Sequence, residues 1–184
     1  MCPECYDKLS FSDFRPNRII DGVNIYTCAA YDKTLQKLIR GLKYHNQKEL
    51  AFYLAKFMYE YWKHLGDKRI FRIAAVPLHK NRIKKRKYNH MELVAFEFGK
   101  LAGMEVNNDL IKRIKDTKPQ YKLSRNERIN NLSGAFEAVG NSSEPVLILD
   151  DICTTGATFE EIIKTLKNNG TKQIVCLSAS SPIY

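Results

Sequence analysis

The sequence has no long apolar segment and no regular set of cysteines. No apolar run approaches the ~18 residues of a transmembrane helix, so we expect no membrane-spanning segment. No apolar stretch of signal-peptide length follows the N-terminus, and we therefore expect a cytoplasmic protein. The five Cys residues are odd in number and widely spread, which argues against a disulfide framework. Neither repeats nor low-complexity linkers interrupt the 184 residues, a length typical of about one domain.

Acidic residues are also in short supply. The chain has 30 Lys and Arg against 20 Asp and Glu, a formal net charge of +10. Residues 79–128 carry most of the excess, with 14 basic and 6 acidic side chains. Such a concentration favours a polyanionic partner, which could be the phosphates of a small molecule, a nucleic acid or both. The alternative is a basic solvated surface without a partner.

The pattern of apolar residues changes along the chain from helical to alternating strand and helix. Periodic apolar residues predict helices from Thr34 and over about residues 47–65. Apolar runs then predict strands, with helices between them, at residues 70–76, 146–149 and 173–178. The run at 146–149 has no alternation, as is typical of a central parallel strand buried on both faces. We therefore predict an α/β protein with a parallel sheet and a small helical N-terminal subdomain. The predicted units are an N-terminal arm, this helical subdomain and a sheet-containing domain: residues 1–30, 31–69 and 70–184.

One segment, residues 146–158 (VLILDDICTTGAT), carries most of the predicted chemistry. A buried strand ends at Asp150 and Asp151, and a short hydroxyl-rich turn leads into a helix. Ligands of parallel sheets bind outside the carboxyl ends of the strands, and a helix N-terminus attracts phosphate. Gly156 leaves room for a phosphate to approach the backbone. The two carboxylates are suited to hydrogen bonds from vicinal sugar hydroxyls and to Mg²⁺ held through water.

This segment closely resembles the thirteen-residue signature of type I phosphoribosyltransferases, which binds phosphoribosyl pyrophosphate. The resemblance implies a parallel sheet of the type I phosphoribosyltransferase kind and a site for phosphoribosyl pyrophosphate with Mg²⁺. By position in the signature, Asp150 and Asp151 would contact the ribose hydroxyls. The turn that would hold the 5′-phosphate consists of Thr154, Thr155, Gly156, Ala157 and Thr158.

Two further segments narrow the resemblance. Residues 76–93 (VPLHKNRIKKRKYNHMEL) have a Pro, a basic stretch, an aromatic residue, Asn and Glu-Leu, and residues 113–136 (RIKDTKPQYKLSRNERINNLSGAF) end in Gly-Ala-Phe. Together with the signature, they resemble the ComF family of competence proteins, also called amidophosphoribosyltransferase-like. The family implies a cytoplasmic protein of DNA uptake in natural transformation. Such a protein would bind phosphoribosyl pyrophosphate and single-stranded DNA, with other competence proteins as further partners.

A different class of function stays open, namely an active phosphoribosyltransferase of nucleotide salvage or biosynthesis. Such an enzyme needs a hood that recognises the nucleophile and excludes water. Only six residues follow the last predicted strand, so a hood would have to come from residues 1–69, where we find no base-recognition motif. This favours binding over a dedicated salvage activity.

The densest group of charges follows the predicted strand at residues 70–76. Six basic residues lie within residues 80–87, and we expect residues 79–89 to form a basic loop that stays mobile until an anion binds. The loop could be a solvated surface, a grip on pyrophosphate, a contact for the DNA backbone, or both of the last two. Tyr88 and Tyr121 lie near these cations and could stack on bases or pack in the protein. By family position, the pyrophosphate loop would be Pro77, Leu78, His79 and Lys80. The basic side chains predicted to contact DNA or other anions are Arg82, Lys84, Lys85, Arg86, Lys87, Arg113 and Arg128.

The cysteines include one pair at a zinc-ligand spacing, Cys2 and Cys5. Many ComF proteins begin with a zinc-binding module of two such pairs, and this chain has one. Structural zinc normally takes four ligands, and Cys28 could be a third by distance. Zn²⁺ at Cys2 and Cys5 and a vacant pair are therefore both open. We expect Cys153 and Cys176 to be packing residues.

Overall fold

The fold is built around a five-stranded sheet. The computed structural model describes residues 3–117, 131–140 and 143–182. Its strands are β1 (Arg18–Ile20), β2 (Val23–Ala30), β3 (Arg72–Ala75), β4 (Ile111–Arg113), β5 (Phe136–Ala138), β6 (Val146–Ile152) and β7 (Ile174–Ser181). The sheet order is β1-β2-β7-β6-β3, in which β1 and β2 are antiparallel and every other pair is parallel. Strands β4 and β5 form a separate antiparallel pair.

Helices cover both faces of this sheet. The helices within the described residues are α1 (Pro3–Tyr6), α2 (Lys33–Tyr44), α3 (Leu50–His64), α4 (Lys80–Arg86), α5 (His90–Ala102) and α6 (Ala157–Asn168). Short polar side chains set two of the starts, because Asp32 Oδ1 accepts from Leu35 N at 2.8 Å and Asn89 Oδ1 accepts from Met91 N at 3.1 Å. Helix α5 ends where Gly103 adopts a left-handed conformation with φ +66°.

The buried side chains form two clusters, one on each face of the sheet. Leu147 and Leu149 of β6 belong to a cluster with apolar residues of α2, α3 and α5. Val146 and Ile148 of the same strand belong to a second cluster with apolar residues of α6 and the β4–β5 pair. A strand covered on both faces buries successive side chains, which explains why its sequence shows no alternation.

Strand β6 confirms the predicted central parallel strand, since it pairs in parallel with both β3 and β7. The α/β class with a mostly parallel sheet is therefore confirmed. Strand β1 is an addition that the sequence patterns did not indicate. It pairs with β2 through a turn at Asp21 and Gly22, both of which have positive φ.

The prediction that residues 79–89 form a basic loop is wrong. Residues 80–86 form helix α4, and His79 precedes it with Nδ1 accepting from Asn81 N at 3.3 Å. Lys and Arg are good helix formers, so local propensity supports the helix. Two contacts stabilise the helix. Asn81 Nδ2 donates to Asp116 at 2.6 Å, which brings a negative charge to the basic segment, and Arg82 Nη2 donates to the carbonyl of Thr117 at 3.1 Å.

Some of the predicted residues cannot be compared with the structure. Cys2, Tyr121 and Arg128 lie outside the described residues, as does the side chain of Cys5. Within the described ranges, no helix is both long and apolar enough to cross a membrane.

Candidate functional site

A cleft of about 1070 Å³ opens at the carboxyl ends of the parallel strands. Tyr31, Val76 and Pro182 line it just beyond the ends of β2, β3 and β7, and residues 150–159 line it at the end of β6 and the start of α6. Helices α2 and α4 supply further walls. This edge is where parallel α/β sheets bind ligands. The predicted carboxylate pair, the hydroxyl-rich turn and part of the basic segment therefore meet at one cleft.

Asp151 is buried and held by two basic side chains. Lys43 Nζ of α2 lies 2.7 Å from Asp151 Oδ2, and His90 Nε2 of α5 forms a hydrogen bond to the same oxygen. Burial alone would raise the pKa of Asp151, but the charge of Lys43 and the hydrogen bonds from Lys43 and His90 outweigh it and hold this pKa well below its usual range. Asp151 is therefore ionised at neutral pH and fixed in orientation.

Asp150 lies in a different environment although it is the next residue. It is partly buried and lines the cleft, and its Oδ1 accepts from Asp151 N at 2.9 Å. Burial, together with the negative charge of Asp151, raises the pKa of Asp150 to about 7. The pair thus consists of one permanently ionised carboxylate and one carboxyl that titrates near neutral pH.

His90 contributes an unusual polar atom to the same region. Burial, against the opposing charge of Asp151, lowers the pKa of His90, so its ring is neutral at neutral pH. With Nε2 bonded to Asp151, the buried Nδ1 atom has no hydrogen-bond partner among the described residues. His90 lines the cleft, so this atom is a candidate acceptor for a ligand group.

The turn into α6 has the geometry expected of an anion-binding turn. Thr154, Thr155, Gly156, Ala157 and Thr158 all line the cleft. Gly156 precedes α6 with φ +85°, a left-handed conformation that favours glycine. A Cβ at this position would also lie 2.8 Å from Arg18 Nη1 of β1. The β1–β2 hairpin therefore packs directly against the predicted phosphate turn.

The predicted pyrophosphate loop only partly reaches the cleft. Leu78 is the one member that lines it among the described residues. Pro77 and His79 are buried, and His79 Nδ1 lies 3.5 Å from Asp116 Oδ1. Lys80 begins α4 and is exposed. His79 is thus occupied in starting the helix.

Basic side chains of α4, of the residue after it and of β4 form a basic wall of the cleft. Those that line it are Arg82, Lys85, Arg86, Lys87 and Arg113. Lys84 is exposed on α4 but is not among the described residues that line the cleft. Together these groups place a strong positive potential in the cleft that holds the carboxylate pair.

Arg113 is the most constrained of these cations. Burial, with the charge of Arg82 adding to it, lowers the pKa of Arg113 to about 10. Its guanidinium bonds to Thr117 Oγ1, but its buried Nε has no partner among the described residues. Two desolvated guanidinium groups close together favour an anion between or beside them.

Lys43, His90 and Tyr44 are site residues that the sequence predictions missed. Lys43 is four residues after Ile39 and eight after Leu35, so a cation continues the apolar face of α2. A cation at such a position is a usable signal, because a charged residue on a buried helix face normally has a partner. His90 and Tyr44 offer no comparable signal in the sequence.

The remaining cysteines are buried thiols. Cys28, Cys153 and Cys176 are free and buried, and burial raises the pKa of Cys153 to about 11. This agrees with packing roles for Cys153 and Cys176. Within the described ranges, no three His, Cys, Asp or Glu side chains lie close enough to hold a metal ion by themselves. Zn²⁺ at Cys2 and Cys5 stays a prediction.

The parallel sheet, the carboxylate pair at the end of β6 and the turn into α6 define an α/β protein with a ligand-binding cleft at the carboxyl edge of its sheet. No family model matches the chain. Competence protein F of Haemophilus influenzae is 32% identical over 78% of this chain and 66% of that protein's length. DNA utilization protein YhgH of Salmonella typhi is 30% identical over 96% of this chain and 83% of its own length. A hypoxanthine phosphoribosyltransferase structure from Staphylococcus aureus is 12% identical, with a TM-score of 0.41 over 71% of this chain and 62% of that one. The sequence identity to these relatives and the share of each chain that is covered show that the chain belongs to the ComF family of competence proteins.

Proposed function

We propose that the cleft binds phosphoribosyl pyrophosphate together with Mg²⁺. The observation that carries this proposal is the arrangement of three features around one cleft: a carboxylate pair, a helix N-terminus with threonine hydroxyls, and a wall of basic side chains. A sugar with vicinal hydroxyls, a 5′-phosphate and a pyrophosphate needs these three kinds of partner. The turn from Thr154 to Thr158 receives the 5′-phosphate, and the basic wall receives the pyrophosphate.

The two carboxylates have separate parts in this arrangement. Asp151 Oδ2 already accepts from Lys43 and His90, so this residue fixes the local geometry and charge. Asp150 Oδ1 accepts from one backbone N–H, and its other oxygen has no partner among the described residues. Asp150 is therefore the principal acceptor for a ribose hydroxyl.

The oxygen ligands of the cleft also suit Mg²⁺ as it is usually bound in sites for phosphorylated substrates. Mg²⁺ keeps several waters and is held by one or two carboxylates plus the phosphates of the substrate. Asp150 supplies one carboxylate at the cleft, and the lack of a three-residue donor group within the described ranges agrees with a metal bound chiefly through the ligand. The bound metal would partly neutralise the negative charge of the pyrophosphate.

We assign the basic wall a second ligand, single-stranded DNA. The names of the relatives, Competence protein F and DNA utilization protein, support a role in DNA uptake during natural transformation. Two exposed lysines of α4, Lys84 and Lys85, extend the positive surface outward from the cleft. In this proposal the protein acts on the cytoplasmic side with other competence proteins as partners.

A melting experiment tests the sugar-phosphate site. A ligand that binds only the folded protein stabilises it by roughly 2.7 kcal/mol at about a hundredfold excess over Kd. We expect phosphoribosyl pyrophosphate with Mg²⁺ to raise the melting temperature more than ribose 5-phosphate or pyrophosphate alone, and a free base to have little effect. An unchanged melting curve at millimolar ligand would exclude the assignment.

A pair of matched variants tests whether the ligand binds at the turn into α6. Thr158→Val removes one hydroxyl from the cleft, and Thr165→Val removes one from the same helix, where Thr165 Oγ1 donates to the carbonyl of Glu161. We expect Thr158→Val to weaken ligand binding by roughly tenfold, the value of one hydrogen bond to a charged group, and Thr165→Val to leave it unchanged. Equal effects of the two variants would place the ligand elsewhere.

Asp150 favours a second candidate function, an active phosphoribosyltransferase. A carboxyl with a pKa of about 7 in a cleft is suited to accept a proton from an attacking amine or base. Release of pyrophosphate from phosphoribosyl pyrophosphate, measured with ammonia and with free bases, separates the two functions. Release that is lost in Asp150→Asn would establish the enzyme, and its absence in the presence of tight binding would favour the binding protein.

A further inference from the structure

A tyrosine ring at the mouth of the cleft lies between basic side chains of two helices. Tyr44 is the last residue of α2 and is 62% exposed. The guanidinium carbon of Arg86, on α4, lies 5.2 Å from the centre of this ring, and that of Arg40, on α2, lies 5.9 Å from it. All three side chains line the cleft. The ring is thus held at the cleft by cations but is not covered by them.

Tyr88, the other tyrosine of this region, is a useful contrast. Its hydroxyl donates to the carbonyl of Leu42 at 2.5 Å, and the side chain is half-buried with Lys48 Nζ 5.0 Å from its ring. Tyr88 therefore ties the start of α5 to α2 as a structural contact. Tyr44 leaves most of its surface in solvent, and an exposed aromatic ring beside cations is typical of a surface for ligand binding.

We infer that Tyr44, with Arg40 and Arg86, is a stacking site for a base of single-stranded DNA. This inference rests on the proposed binding of single-stranded DNA and adds to it a contact between the protein and a base. Every base has a π-face that can stack on a tyrosine or a guanidinium plane, and both arginines can also contact the neighbouring phosphates. Lys85 and Lys87 of the same cleft continue the cationic path for the backbone. A base inside a duplex is already stacked, so the site selects single strands.

Fluorescence anisotropy with two labelled probes tests the site. The probes are an oligothymidylate and an abasic oligonucleotide of the same length, which has the same phosphates but no bases. We expect Tyr44→Ala to weaken oligothymidylate binding by roughly 5- to 150-fold, the range for loss of one stacked base. Binding of the abasic probe stays unchanged, and Tyr44→Phe binds oligothymidylate like the parent protein because it keeps the ring.

Phe96 provides the matched control. It is an exposed aromatic residue of α5, 57% exposed, with Lys100 Nζ 4.7 Å from its ring, and it is not among the described residues that line the cleft. We expect Phe96→Ala to leave the affinity for both probes unchanged. If Tyr44→Ala behaves like Phe96→Ala, or loses affinity equally for both probes, the stacking site is excluded.

A tryptophan introduced at the site supplies a second, independent measurement by fluorescence. The chain has one Trp, and Trp62 is buried at 4% exposure. Tyr44→Trp therefore places an exposed fluorophore at the cleft, and we expect oligothymidylate, but not the abasic probe, to quench it. Absence of quenching at saturation overturns the inference while DNA binding itself stands. Failure of the parent protein to bind either probe would instead exclude the proposed DNA function together with this site.

Discussion

Lys43 Nζ and Asp151 Oδ2 lie 2.7 Å apart, and this contact joins the end of α2 to the end of the central strand β6. The Lys43 side chain is 17% exposed and that of Asp151 only 6%. The helical layer therefore contributes directly to the cleft, although the carboxylate pair belongs to the sheet. The contact also gives the two neighbouring carboxyl groups different properties. It keeps Asp151 ionised, while Asp150 remains available to a ligand in the cleft.

Loss of this contact should destabilise the protein. Lys43→Met leaves a buried carboxylate with His90 as its remaining basic partner, and removing one partner of a buried pair costs on the order of 3 kcal/mol. Urea denaturation at neutral pH measures the change in the free energy of unfolding. Lys37→Met, on an exposed position of the same helix, is the control and should have little effect. Equal losses in the two variants would show that the pair does not contribute.

The raised pKa of Asp150 predicts a stability change with pH. Because folding raises this pKa from about 3.9 to about 7, the favourable contribution of Asp150 is complete below about pH 4 and is lost as the pH rises through 7. Asp150→Asn resembles the protonated form at every pH. We therefore expect this variant to match the parent protein near pH 4 and to exceed its free energy of unfolding by on the order of 4 kcal/mol above pH 7.

Asp109→Asn is the control for the substitution itself, because the Asp109 side chain is 90% exposed and its replacement should change the free energy of unfolding little. Denaturation curves at several pH values provide both comparisons. A constant difference for Asp150→Asn would mean that Asp150 has an ordinary pKa in the folded protein.

A side chain at Gly156 should destabilise the turn into α6. Gly156→Ala forces an L-residue into a left-handed conformation and places a Cβ 2.8 Å from Arg18 Nη1. Gly170 has a similar φ of +93° but no atom within 4 Å of an added Cβ, so Gly170→Ala isolates the backbone cost. We expect Gly156→Ala to lower the free energy of unfolding by about 1 kcal/mol more than Gly170→Ala, a modest overpacking cost. Adding Arg18→Ala should remove the part of that extra loss that comes from Arg18, while the contact with Ile20 Cδ1 at 3.3 Å remains.

The strand, turn and helix of residues 146–168 could be predicted from the sequence because each signal is local. An apolar run followed by two carboxylates, a glycine and a periodic helix sets all three parts within a few residues of one another. The place of the carboxylate pair at a sheet edge then follows from the parallel arrangement. The tertiary partners of this segment did not follow, since Lys43 and His90 lie far from Asp151 in the chain.

Helix α4 shows why the basic segment was misassigned. The prediction gave most weight to repulsion among six nearby charges and none to the contacts of Asp116 and Thr117 with this segment. Those contacts come from residues about 35 positions downstream. The contact between Arg86 of α4 and the Tyr44 ring of α2 is likewise visible only in the folded protein. Local propensity was the better guide to structure here, and tertiary contacts determine which charges face the cleft.

The exposed lysines of α4 should control the salt dependence of single-stranded DNA binding. Each phosphate contact to a single strand contributes about −0.7 to the slope of log K against log salt concentration. Lys84→Gln with Lys85→Gln removes two exposed cations, so we expect the slope to become less steep by about 1.4 units. Affinity should fall by a similar factor for every sequence, because backbone contacts carry no base information.

Lys68→Gln with Lys172→Gln is the matched control. These two exposed lysines precede β3 and β7, so they lie at the opposite edge of the sheet from the cleft, and their removal changes the net charge equally. Anisotropy titrations at several salt concentrations should therefore show the full slope for this pair. If both double variants flatten the slope alike, DNA responds to the overall charge of the protein. If neither does, the basic wall serves the pyrophosphate alone, and the hypothesis of an active phosphoribosyltransferase gains support.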